Sequence, residues 1–221
     1  MAHTRRRHAL AVVICSVLTA GVASAQQNEA DRERTERVAD ILVALGAKDG
    51  ARIADVGSAD GFYALRIARA VAPTGRAYAV DIDQAALTKL GEHAKRDGIT
   101  NVEAILGATD DPRLPAGEID AVLIRNAYHE MPEYRGVLAG ITRALRPGGM
   151  LIVIESLHDN VRAKTRAEQV KEHEIAPEIV EAELREAGFE IVERQDSFTT
   201  FTRPPPGGFW MIRARRPASK Q

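Results

Sequence analysis

Two stretches of the chain combine residue types and spacings that can do chemistry. The first is Asp55-Val56-Gly57-Ser58-Ala59-Asp60-Gly61, a turn of small residues between an apolar run and a helical pattern. Glycine there permits close approach of a ligand and a positive φ, and the following helix start offers free N–H groups. Asp81 lies 20 residues beyond Gly61, where an acid can accept both hydroxyls of a nucleotide's ribose. Two cofactor classes fit this pair, nicotinamide dinucleotides and S-adenosylmethionine. The small residues Gly57, Ala59 and Gly61 are spaced two apart, unlike G-x-G-x-x-G. Asp55 in front of the turn would repel a pyrophosphate, whereas it can orient the positively charged methionine end of S-adenosylmethionine.

The second stretch is Arg125-Asn126-Ala127-Tyr128-His129-Glu130. A histidine's ordinary pKa near 6.5 lets His129 take a proton at neutral pH, and Glu130 beside it can hold the ring's orientation. Tyr128 is expected as a wall of the pocket, and His158 and His173 as further lining on the acceptor side. The alternative for His129 is a helix-start histidine that only packs or caps. No His/Asp/Glu grouping shows metal-ligand spacing, so no metal is expected. Neither a G-x-S-x-G elbow nor a phosphate-binding G-x-x-x-x-G-K occurs.

The elements that must position these residues alternate. Apolar runs at 51–56, 77–81, 102–106, 120–125 and 150–155 read as strands. Helical periodicity fills 29–45, 62–71, 84–97 and 133–145, with stops at Gly46, Pro73-Thr74-Gly75, Gly98 and Pro147-Gly148-Gly149. The tail adds a helix at 177–187 and strands at 189–196 and 209–213. Such alternation implies an α/β fold, a parallel sheet with helices on both faces. Arg125 and Asn126 then end the fourth strand facing the crevice where open sheets bind ligands. The charged stretch 157–174 reads as a lid or, more plainly, a solvated helix.

DVGSADG resembles the D-x-G-x-G-x-G first motif of class I S-adenosylmethionine-dependent methyltransferases, with Ala59 in place of the central glycine. AVDID (79–83), EIDAVLIRNAYHE (118–130) and ALRPGGMLIVIE (144–155) are similar to the family's later strand ends, in its order, across residues 35–215. The resemblance implies a doubly wound Rossmann-like sheet of seven mostly parallel strands with the last antiparallel. It implies Asp55, Gly57, Ser58, Ala59 and Gly61 around the methionine part, Asp81 on the ribose, and Ile82 over one face of adenine. Asp110 or Asp111, which follow Gly107 later than the family's usual acid, is expected near the adenine amino group. RNAYHEM is also similar to the His-Asp element of small-molecule O-methyltransferases, in which the histidine is the base, with Glu130 replacing the aspartate.

Composition limits the classes. The 221 residues carry 30 basic and 31 acidic side chains and are 45% hydrophobic, as in ordinary globular proteins. Near-neutral charge removes the electrostatic footprint of a nucleic-acid binder. Arg5-Arg6-Arg7, the 14-residue apolar run 9–22 and Ala23-Ser24-Ala25 form the three-part layout of a signal peptide. Residues 1–25 are therefore expected to direct export to the periplasm or medium, leaving 26–221 as a single domain without stable membrane association. An uncleaved N-terminal anchor is the alternative. A run of 14 residues is short for a hydrocarbon core about 30 Å thick. The leading expectation is methyl transfer to a small molecule, possible at oxygen. The alternatives are a non-catalytic exported binding protein retaining the fold and, disfavoured by the turn spacing, a nicotinamide-dependent oxidoreductase.

Overall fold

The computed structural model describes residues 27, 29–201 and 204–218, so the expected signal segment lies outside the described residues. The chain divides into two compact units, residues 1–39 and 40–221. In the first, residues 29–35 are helical, with Arg32–Glu36 and Arg34–Asp31 ion pairs at helical spacing. The expected continuous helix 29–45 is interrupted at residues 36–37, where Arg37 takes a φ of 54°. Helix α1 follows at Val38–Ala44.

The second unit holds a seven-stranded sheet. Its strands are β1 (Arg52–Val56), β2 (Arg76–Asp81), β3 (Val102–Leu106), β4 (Ile119–Arg125), β5 (Leu145–His158), β6 (Glu190–Thr200) and β7 (Gly207–Arg215). The spatial order is β3-β2-β1-β4-β5-β7-β6. The first five strands pair in parallel, and β7 inserts antiparallel between β5 and β6. The seven-stranded expectation holds, with the order now fixed.

Helices α2 (Phe62–Val71), α3 (Gln84–Arg96), α4 (Tyr134–Ala144), α5 (Arg166–Lys171) and α6 (Pro177–Glu186) cover the sheet. Successive strand residues point to opposite faces. Tyr78 and Val80 accordingly join the large core under α4 and α6, with Val137, Ile141, Val180 and Leu184. Ala79 packs on the other face with Ala64 of α2 and Leu90 of α3. Strands buried on both faces read as near-continuous apolar runs, as Ile152-Val153-Ile154 does at zero exposure.

The stretch 157–174 is exposed over most of its residues, as expected, but is anchored at a few buried positions. Thr165 and Glu168 form a capping box that starts α5. Gln169 is fully buried; its amide donates to the carbonyls of Arg162 and Lys164 and accepts from the Ala176 N–H. Val161 and Glu174 are also buried. Among the described residues no helix is long and apolar enough to cross a membrane.

Candidate active site

The first turn leaves β1 at the carboxyl end of the sheet, beside the point where strand order reverses between β1 and β4. Gly57 and Gly61 have φ values of 80° and 90°, which only glycine adopts freely. A Cβ on Gly57 would lie 2.5 Å from the Ala127 Cβ, and one on Gly61 would lie 2.6 Å from Leu90 Cγ. The turn therefore packs directly on the segment that carries His129. Ala59, where the resembled motif has glycine, also sits at a positive φ of 46°, a mildly strained conformation for a residue with a Cβ.

Asp81 ends β2 and holds this turn. Its carboxylate accepts from the Ala59 N–H at 2.8 Å and from the Asp83 N–H at 2.9 Å. Each oxygen keeps a further acceptor position open. Ile82, next in the chain, is 63% exposed and presents an apolar face beside them.

Two buried polar atoms at the turn, Asp55 Oδ2 and Ser58 Oγ, have no hydrogen-bond partner among the described residues. Burial pushes the Asp55 carboxyl up to about 7, against an N–H from Ala64 that lowers it, and the Asp81 charge adds to the rise. A buried acid beside a second acid calls for a cation to stabilise its charged form. The sulfonium and ammonium groups of S-adenosylmethionine are such cations, and the glycine cradle and orphaned oxygens fit that cofactor.

The acceptor side starts at Asn126, which follows β4 at a φ of 52°. Ser156 Oγ donates to its side-chain oxygen at 3.2 Å. A single 3₁₀ turn, Tyr128–Glu130, follows and directs Tyr128 and His129 inward. His129 is 3% exposed, and its Nδ1 lies 2.7 Å from Glu155 Oε2. Glu155 is fully buried at β5, and its other oxygen accepts from the Tyr128 N–H at 2.6 Å. Burial alone would lower the His129 pKa. The hydrogen bond and charge of Glu155, with the charges of Glu130 and Glu174, raise it on balance.

Several expectations need correction. Glu130 does not orient His129: it is 66% exposed and stands 3.8 Å from Nε2, on the opposite side of the ring. Glu155 does the orienting, an acid missed because it closes an apolar strand run and reads as a strand end. Tyr128 is not a pocket wall. It is fully buried, its hydroxyl donates to Glu183 at 2.9 Å, and burial together with Glu183 raises its pKa. Arg125 stacks its guanidinium 3.7 Å above the Phe209 ring.

Asp111 is held by Arg143 at 2.9 and 3.0 Å and by the Arg113 N–H at 2.8 Å, which makes it a strut of its loop. Asp110 is exposed, with its backbone against Gly136 of α4. His173 stands edge-on to His129 with ring centroids 5.9 Å apart. His158 is bound through Nδ1 to Glu174 and packs on Phe201. The fold thus brings together His129, Glu130 and His173, which their sequence spacing did not suggest as a group.

A family model described as a methyltransferase domain matches residues 47–194, about two thirds of the chain. The chain belongs to the methyltransferase-domain family. Within it, a demethylmenaquinone methyltransferase of Geobacillus kaustophilus is 33% identical over 120 residues, 53% of this chain and 50% of the relative. A ubiquinone/menaquinone biosynthesis C-methyltransferase, UbiE, of Erwinia tasmaniensis is 26% identical over 144 residues, 65% of this chain and 57% of the relative. The chain spans about half the length of the curated relatives it matches.

Among solved structures, a SAM-dependent methyltransferase from Aquifex aeolicus superposes with a TM-score of 0.66 at 22% identity, covering 80% of this chain and 88% of that one. The [4+2]-cyclase SpnF superposes with a TM-score of 0.70 at 19% identity, covering 84% and 81%. These likenesses are of fold, and the fold carries a cyclase as well as transferases. The family match makes the chain a methyltransferase-domain protein, and its fold is that of S-adenosylmethionine-dependent methyltransferases.

Proposed function

We propose that this chain methylates a small hydroxylated aromatic molecule, a phenol or quinol, with S-adenosylmethionine as donor and His129 as the group that takes the acceptor's proton. The observation that carries the reading is the buried Glu155–His129 pair, on a segment that packs against the donor turn. Glu155 engages Nδ1, so Nε2 is the ring nitrogen left for the acceptor.

When bound, the donor supplies a methyl group on a positively charged sulfur. Asp55 and Ser58 hold its methionine end, Asp81 its ribose and Ile82 one face of its adenine. His129 Nε2 accepts the hydroxyl proton, and Glu155 stabilises the imidazolium that forms. The C–S bond breaks as the new bond to the acceptor forms. In-line alignment of the two sides provides much of the rate. A deprotonated ring hydroxyl also enriches its neighbouring ring carbons, so the same base serves transfer to oxygen or to carbon. Relatives named for demethylmenaquinone and for C-methylation support including the carbon route.

The three-part pattern of residues 1–25 supports placing this enzyme outside the cytoplasm. N-terminal sequencing of the exported protein should then begin at Gln26, and a retained Met1 would refute it. The donor reading is tested by calorimetric titration with S-adenosylmethionine and with NAD. Heat with the first and none with the second is expected; the reverse would overturn it. Labelled methyl transfer to a panel of phenols, quinols and amines then identifies the acceptor class.

A further inference from the structure

His129, Glu130 and His173 each present one ligand atom, and these atoms lie within 4.8 Å of one another. Glu130 Oε1 stands 3.8 Å from His129 Nε2 and 4.0 Å from His173 Nδ1. With ligand bonds of about 2.0–2.1 Å, a tetrahedral zinc ion requires neighbouring donors about 3.3 Å apart. The group must therefore contract by roughly 0.5–1.5 Å. The two residues that must move are free to do so, since Glu130 is 66% and His173 78% exposed. The one that cannot move is already aimed, because Glu155 holds His129 Nδ1 and turns Nε2 toward the other two. A carboxylate behind a histidine is the usual support of a metal-ligating imidazole.

We propose that His129 Nε2, His173 Nδ1 and the Glu130 carboxylate bind one divalent transition-metal ion of the zinc class, and that its occupancy inhibits the enzyme by taking the lone pair that accepts the acceptor's proton. Two imidazoles and one carboxylate suit zinc, nickel or copper(II) rather than magnesium or calcium, which prefer oxygen donors. The surface position of Glu130 and His173 leaves further coordination places to water. The inhibitory half rests on the proton-accepting role of His129 proposed above; the site itself does not.

Equilibrium dialysis of the purified metal-free chain against zinc tests the site without any turnover. One ion per chain is expected, with His173→Ala and Glu130→Gln each weakening binding at least tenfold while thermal unfolding of the metal-free proteins stays close to wild type. Absence of stoichiometric binding, or wild-type affinity in His173→Ala, overturns the site. With an acceptor in hand, zinc should suppress wild-type turnover, a chelator should restore it, and His173→Ala should lose most of that zinc sensitivity. Stoichiometric binding with turnover untouched by zinc would leave the site standing and overturn both the inhibition and the proton-accepting role of His129.

Discussion

The two halves of the site solve opposite problems. The donor half is made of backbone: two glycines and an alanine at positive φ, with the Ala59 N–H clamped by Asp81. Among the described residues, Asp55 Oδ2 and Ser58 Oγ are left buried there without partners. The acceptor half is made of side chains whose buried carboxylates are matched in advance. Glu155 uses both oxygens, Glu183 takes the Tyr128 hydroxyl and the Arg166 guanidinium, and Glu174 takes His158. A half whose groups are orphaned gains stability when its ligand arrives. A half whose groups are paired is rigid before the ligand arrives. On the proposed function, the charged donor is received by unmet electrostatic demand, while the acceptor meets a base already fixed in orientation.

Removing the fixed pairing should have the largest structural effect. Glu155→Ala strands the Tyr128 N–H and the His129 Nδ1–H in the core, and each buried unsatisfied group costs about 1–3 kcal/mol. Denaturant unfolding should show a loss of about 2–6 kcal/mol together with a severe fall in turnover. Glu155→Gln retains the shape and should recover most of the stability but little of the rate. Equal recovery of both would mean that the negative charge is not needed.

Asp81→Ala should be next. Hydrogen bonds to a charged acceptor are worth about 1.5–3 kcal/mol, so donor affinity should drop about 10- to 100-fold by calorimetry. The variant also frees the Ala59 N–H, so the turn should exchange amide hydrogen faster. Unchanged affinity would place the ribose elsewhere.

The subtler contrast concerns pH. Asp55 has a folded pKa of about 7, above its ordinary 3.8. A raised acid contributes stability that is complete below about pH 4 and is lost as pH rises through 7. Relative to Asp55→Asn, the ligand-free chain should therefore lose melting temperature as pH is raised from 4 to 8, while donor binding should tighten over the same range. Asp55→Asn should flatten the first dependence, stabilise the ligand-free chain near pH 8, and weaken the donor. Parallel melting curves of the two proteins with and without S-adenosylmethionine check all three. The same pH dependence of melting in the wild type and in Asp55→Asn would remove Asp55 from this role.

The same contrast explains what could be read from the sequence. The donor turn is contiguous, and Asp81 follows at the end of the next strand, so residue order alone displayed them. Strand and helix alternation likewise displayed the sheet, because strands buried on both faces must be apolar throughout. The acceptor half joins His129, Glu155 and His173 from three separate elements, and only tertiary packing brings them together. Glu155 was hidden by its strand and Tyr128 by its hydroxyl, which suggested a pocket but finds Glu183 in the core. In the stretch 157–174 the charges outnumber the apolar residues, yet Gln169 satisfies itself with three backbone bonds and goes inside.

The most direct test of the division between the halves is one donor-saturation curve for His129→Ala, with a phenol or quinol that the wild type methylates. Loss of a general base typically costs about 10²–10⁴-fold in rate. The plateau should fall by that factor while the S-adenosylmethionine concentration at half-saturation stays within about twofold of wild type. An undiminished plateau, or a half-saturation point that moves while the plateau holds, would contradict the assignment of His129 to the acceptor.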